Sequence, residues 1–186
     1  HQVGEELPHS VALVNPNRQD DLSGLGHLAA VGVTFLFVVG LNRELRRRGL
    51  FKGSREPDLL ALLDLAAVGT VCDVVPLRGL NRAFVRKGIV ALHSRANVGL
   101  AALCDVARVH GPPSPYHLGF MVGPRINAGG RIGDAALGAR LLTTHDMDEA
   151  RTIAETLDRL NGERQAMEAI MLEEGDAQAL VSVEDS

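Results

Sequence analysis

The side chains able to do chemistry gather in two stretches. The first covers residues 59–77, LLALLDLAAVGTVCDVVPL, where one carboxylate, Asp73, stands between Cys72 and Val74. An ionised carboxylate in aliphatic surroundings is costly unless it is hydrogen-bonded, ion-paired or bound to a metal. Two readings stay open on these residues: Asp73 caps a turn or pairs with an arginine, or it ligates a metal at the end of a buried element. The second stretch covers residues 123–135, GPRINAGGRIGDA, and holds Arg125, Asn127 and Arg131 among glycines. Such glycines let successive N–H groups turn toward an anion. Each guanidinium can grip a phosphate with a fork of donors. A helix expected from Asp134 to Leu142 would add the positive end of its dipole. The spacing is neither a Walker loop nor a dinucleotide fingerprint. The alternative is a tight glycine turn whose arginines pair with acidic neighbours such as Asp134.

The elements that must position these residues follow from pattern. Val11 to Val14 is a short apolar run closed by Asn15-Pro16-Asn17, which reads as a buried strand and a turn. From His27 to Arg48 the spacing is helical, with Gly49 as the stop. Its end collects Arg43, Arg46, Arg47 and Arg48, either a solvated helix end that complements the dipole or a nucleic-acid contact. Asp58 is a good N-cap for a helix from Leu59. That helix is expected to break at Gly69 and give way to a β-branched strand, Thr70 to Val75, ended by Pro76. Helical spacing returns over residues 81–92 and 99–109, before the rigid break at Gly111-Pro112-Pro113-Ser114-Pro115. Asp146 and Glu149 form a capping-box pattern ahead of a helix of roughly thirty residues that weakens near Gly175. Short strands alternating with helices predict an α/β fold with a parallel sheet.

Composition narrows the class. With 46% hydrophobic and 23% charged residues, the chain can bury a core. Aromatics make up only 3%, without tryptophan, so that core is aliphatic. A net charge of −4 gives no general attraction to nucleic acid, so any such contact needs a local basic patch. Cys72 and Cys104 form no C-x-x-C pair and read as reduced thiols of a cytosolic protein. The apolar run at residues 28–41 is too short and too interrupted to span a bilayer. The chain starts at His1 without a signal-peptide pattern and reads as beginning mid-domain.

Together these stretches resemble the RecJ family of the DHH phosphoesterases. H-Q-V-G-E-E-L-P at the start looks like the continuation of the family's Asp-His-His motif, with His1 as its final histidine. V-N-P-N at 14–17 and L-A-A-V-G-V-T-F at 28–35 are similar to the strand, turn and helix that follow it. V-G-T-V-C-D-V-V-P-L at 68–77 resembles the last metal-binding motif, with Asp73 as its carboxylate. P-R-I-N-A-G-G-R-I-G-D-A at 124–135 resembles a further signature, and L-N-G-E-R-Q at 160–165 looks like the connector to a second domain.

The resemblance implies the C-terminal part of a DHH catalytic domain over residues 1–145 and a connector helix over 146–186. It implies a cytoplasmic 5′–3′ exonuclease of DNA repair and recombination that hydrolyses single-stranded DNA. Two Mn²⁺ or Mg²⁺ ions would act there, with His1 and Asp73 as ligands. Arg125, Asn127 and Arg131 would hold the DNA backbone. Single-strand-binding protein or a helicase would be partners, and no membrane is involved. The family's upstream aspartate motifs and second domain are not in this sequence, so the chain alone is expected to be inactive. Two other readings are a phosphodiesterase for short oligonucleotides or cyclic dinucleotides, and a non-catalytic scaffold that binds nucleic acid.

Overall fold

The computed structural model describes residues 8–132 and 134–184, with side chains over 8–130 and 134–172. The helices are α1 Ala30–Arg47, α2 Leu63–Cys72, α3 Gly79–His93, α4 Val98–Val106, α5 Gly123–Ile132, α6 Leu137–Thr143 and α7 Met147–Glu184. A 3-10 turn, Leu59–Leu62, leads into α2, and a π-helical turn, His117–Val122, leads into α5. The chain divides into two compact units: His1–Ala96 with His110–Gly119, and Asn97–Val109 with Phe120–Ser186.

The expected α/β architecture is not what forms: among the described residues there is no strand. The β-branched run at 70–75 continues α2 as far as Cys72. Thr70 makes the helix tolerable by donating its hydroxyl to the Ala66 carbonyl at 2.6 Å, and the residue is fully buried. Gly69 does not break α2. An added Cβ there would lie 2.8 Å from Val31 Cγ1, so the glycine is what lets α1 approach. Packing thus overrides intrinsic β preference, which is weak and context-dependent. The other expected strand fares no better, since Val11 and Val14 are exposed and no described segment pairs with them.

In the first unit, α1, α2 and α3 pack on one another. Leu28, Leu63, Ala66 and Phe84 form its core, and Phe35 meets Phe84 edge-to-face with ring centroids 5.4 Å apart. Asp58 caps the turn before α2 as expected, accepting from the Leu60 N–H at 3.0 Å. Asn81, fully buried on α3, ties two loops together by donating Nδ2 to the carbonyls of His27 (2.9 Å) and Pro76 (3.0 Å). Asn81→Ala orphans the His27 carbonyl and leaves Pro76 O with the Arg78 N–H alone, so an unfolding free energy lower by about 1–3 kcal/mol is expected in urea titrations.

Asp64 is 2% exposed in the first turn of α2, and its Oδ1 accepts from the Leu65 N–H at 2.6 Å. Burial raises its pKa against the smaller, opposite pull of backbone hydrogen bonds. A carboxyl with a folded-state pKa above its unfolded value contributes stability that is full below the unfolded value. That contribution is lost as pH rises through the folded value. Asp64→Asn keeps the acceptor and removes the charge. The variant is therefore expected to be more stable than the parent at pH 7, with the gap closing as pH falls to about 4, near the ordinary carboxylate range. Denaturant curves at the two pH values check this.

In the second unit, α7 packs against α4, α5 and α6. Its buried residues, Ala150, Ile153, Ala154, Leu157 and Leu160, recur at three- and four-residue steps. Asp146 caps it as the pattern predicted, accepting from the N–H groups of Asp148 and Glu149. Farther along, Ile170, Met171 and Leu172 are exposed. Gly99 of α4 sits where an added Cβ would be 1.8 Å from the Leu141 carbonyl oxygen.

Candidate functional site

Asp73 is the C-cap of α2, with its backbone N–H bonded to the Gly69 carbonyl. The next residue, Val74, has φ +55°, and the chain turns sharply there toward Pro76. The side chain is exposed, so the desolvation argument that singled it out does not apply. It makes no hydrogen bond or ion pair, which excludes the capping and arginine-paired readings among the described residues. The carboxylate is a free oxygen donor beside the negative end of a helix, a setting that favours a cation. Beside it, burial and then the Asp73 charge push the Cys72 thiol up, and its Sγ lies 3.8 Å from the Leu118 carbonyl oxygen. Neither Cys72 nor Cys104 forms a disulfide among the described residues.

One carboxylate does not make a metal centre. Asp73 fits as a single hard ligand, but a divalent ion takes several. The described residues contain no group of three or more His, Cys, Asp or Glu side chains able to hold one. His1, the second ligand implied by the resemblance, lies outside the described residues.

The expected glycine loop at 123–135 is instead mostly helix, since Gly123–Ile132 forms α5. Its N–H groups therefore feed the helix rather than a nest. Pro124 has no N–H to donate and sits in the first turn of α5, directly after the π turn, a position where proline is tolerated. Gly129 permits close packing, since a Cβ there would lie 3.0 Å from Leu157 Cδ2 of α7.

Arg125, Asn127 and Arg131 all ride on α5, in the second unit, whereas Asp73 belongs to the first. The Arg125 side chain is only 17% exposed, and its guanidinium is already engaged. It donates to Asp158 Oδ1 through Nε at 2.8 Å and to the Met121 carbonyl through Nη1 at 2.6 Å. Nothing in the spacing of the sequence pointed to Asp158 as its partner. Asn127 is exposed. Arg131 has a described backbone in α5, and its side chain lies outside the described residues.

The arginine cluster at the end of α1 resolves toward the solvated reading. Arg46 is paired with Glu56, and Arg47 and Arg48 both bond Glu44. Those bonds hold the Glu44 carboxyl down to about 2.

No family model matches the chain. It is 41% identical over 175 residues to the single-stranded-DNA-specific exonuclease RecJ of Dickeya dadantii, an alignment covering 92% of this chain and 30% of that protein. It is 37% identical over 172 residues to RecJ of Thermus thermophilus, covering 92% of this chain and 24% of that one. Among solved structures, exonuclease RecJ bound to manganese superposes with a TM-score of 0.78 at 36% identity, over 94% of this chain and 42% of that one. RecJ from Thermus thermophilus in complex with Mn²⁺ gives a TM-score of 0.66 at 39% identity, over 76% and 20%. The chain thus spans under a third of the length of these curated relatives.

Proposed function

Because the chain belongs to the RecJ family over the stretch it shares with those proteins, we propose that it is part of a metal-dependent exonuclease acting on single-stranded DNA. The observation that carries this reading is one alignment and one superposition, each running through nearly the whole chain, against proteins named for that activity. Residues 1–145 belong to the catalytic domain, and the helix beyond them leads toward a second domain. Asp73 is one ligand of a Mn²⁺ or Mg²⁺ centre, and His1 is another. When bound, such ions lower the pKa of a water and steady the leaving oxygen of a phosphodiester.

The chain's own residues supply position and charge. Asp73 is exposed and unpaired, so no competing cation must be displaced from it. Asn127 and Arg131, on α5, hold the DNA backbone. Arg125, locked to Asp158 and Met121, fixes the helix that carries them. Degradation runs 5′ to 3′ in the cytoplasm, in repair and recombination, and single-strand-binding protein or a helicase are the natural partners.

The test uses the intact protein at its natural length, with Mn²⁺ and a 5′-phosphorylated single strand. Stepwise release of nucleotides from the 5′ end is expected, with long strands consumed in preference to dinucleotides. Preference for dinucleotides would transfer the reading to an oligonucleotide phosphodiesterase. Binding without cleavage would leave a scaffold.

A further inference from the structure

The exposed face of α3 carries a run of cations that nothing among the described residues neutralises. Arg78 is the N-cap, Arg82 and Arg86 follow at four-residue steps, and Lys87 flanks them; all four are exposed. None forms an ion pair or side-chain hydrogen bond among the described residues. Many other arginines are paired: Arg140 with Glu149, Arg159 with Glu163, Arg164 with Glu168, and Arg46, Arg47 and Arg48 with Glu56 and Glu44. Arg43, Arg55 and Arg108 also have no ion pair among the described residues, but they are far apart in sequence and form no run along one helix. The reason lies in the sequence, since no acidic residue occurs between Asp73 and Asp105. In a chain of net charge −4 this is a local basic patch of the kind a nucleic-acid contact needs.

The arrangement works against α3 as an isolated helix. Like charges at four-residue steps repel, and basic residues at the start oppose the dipole. No side chain caps the first turn. A polyanion laid along the face would reverse both penalties. From Arg78 to Arg86 the helix rises about 12 Å. The start of the run is also tied to Asp73. The turn between them is pinned where Pro76 O accepts from the Arg78 N–H at 2.9 Å and from Asn81 Nδ2 at 3.0 Å.

We propose that the Arg78–Arg82–Arg86 face of α3, flanked by Lys87, is a binding track for the phosphate backbone of single-stranded DNA, leading away from Asp73. The identity of the polyanion rests on the nuclease reading above; the track itself rests on the unpaired charges. It reads charge and spacing, so it binds without sequence preference.

The experiment measures binding of a labelled oligothymidylate by the intact protein, without divalent ions, across a salt series. The parent is compared with R78Q/R82Q/R86Q/K87Q and with a control, R46Q/R47Q/R48Q, that removes paired arginines. Each lost phosphate contact flattens the log–log salt slope by about 0.7, so the quadruple variant is expected to be shallower by about 3 and the control unchanged. If the quadruple variant does not fold, R82Q/R86Q is expected to show about half that change. A slope equal to the parent's in a folded variant, or a parent that does not bind the oligonucleotide, overturns the track. Poly-glutamate competing as well as the oligonucleotide, charge for charge, reassigns the face to an acidic protein and also overturns it. A parent that binds but does not cleave removes the nuclease reading and leaves the track standing. A parent that cleaves while the variant keeps its slope does the reverse.

Discussion

Replacing Gly88 by alanine is expected to cost the protein about 3 kcal/mol or more, a fall in melting temperature of roughly 6–12 °C for a chain of this size. Gly88 lies inside α3 where it crosses α2. A Cβ built there would stand 2.1 Å from the Leu63 carbonyl oxygen and 2.4 Å from Ala67 Cβ. Neither neighbour is the end of a flexible chain, so one helix must move off the other. That movement opens the core around Leu63, Ala66 and Phe84. Within a helix glycine is ordinarily worse than alanine, so the effect is opposite in sign to helix propensity. Gly162 of α7 supplies the internal control. It has nothing within 4 Å of the Cβ position, and Gly162→Ala is expected to stabilise by about 0.5–1 kcal/mol. Thermal melts of the two variants side by side decide the matter. Equal melting temperatures would mean that α2 and α3 do not approach so closely.

The second large effect concerns chemistry and leaves the fold alone. If Asp73 ligates the proposed metal centre, Asp73→Asn reduces Mn²⁺-dependent cleavage by the intact protein by at least about 100-fold. Residues that merely support metal ligands already cost about 10–100-fold when changed, and a direct ligand costs no less. The same variant is expected to unfold within about 0.5 kcal/mol of the parent, because the side chain is exposed and bonds to nothing among the described residues. The pairing of these two readouts carries the weight. Full cleavage in Asp73→Asn removes the residue from the metal centre. A large loss of stability would show that the carboxylate serves the C-terminus of α2 instead.

How much of this was legible beforehand differs from residue to residue. Asp58 and Asp146 were readable as caps because an N-cap depends on a side chain and the backbone a few positions away. The α7 stripe from Ala150 to Leu160 was readable for a similar reason, since its period is local. Thr70 to Val75 misled because β-branched residues express a preference that packing can override. Glycines misled too. Gly69 reads as a break and Gly129 as a loop, yet both are helical positions where another helix comes close. Gly88 lies likewise inside a helical pattern where another helix comes close, and only the packing shows it.

The sequence by itself determined the stripe of α7, the caps Asp58 and Asp146, the aliphatic character of the core and the order of motifs that resembles the RecJ family, because each depends on residue type or on neighbours along the chain. Tertiary structure alone decided that, among the described residues, Asp73 is exposed and unpaired, that Arg125 is locked to Asp158, and that Arg46, Arg47 and Arg48 are neutralised while Arg78, Arg82 and Arg86 are not. Those outcomes depend on which groups meet across helices and between distant segments. A carboxylate's partner and its access to water are properties of that meeting, and residue type fixes neither.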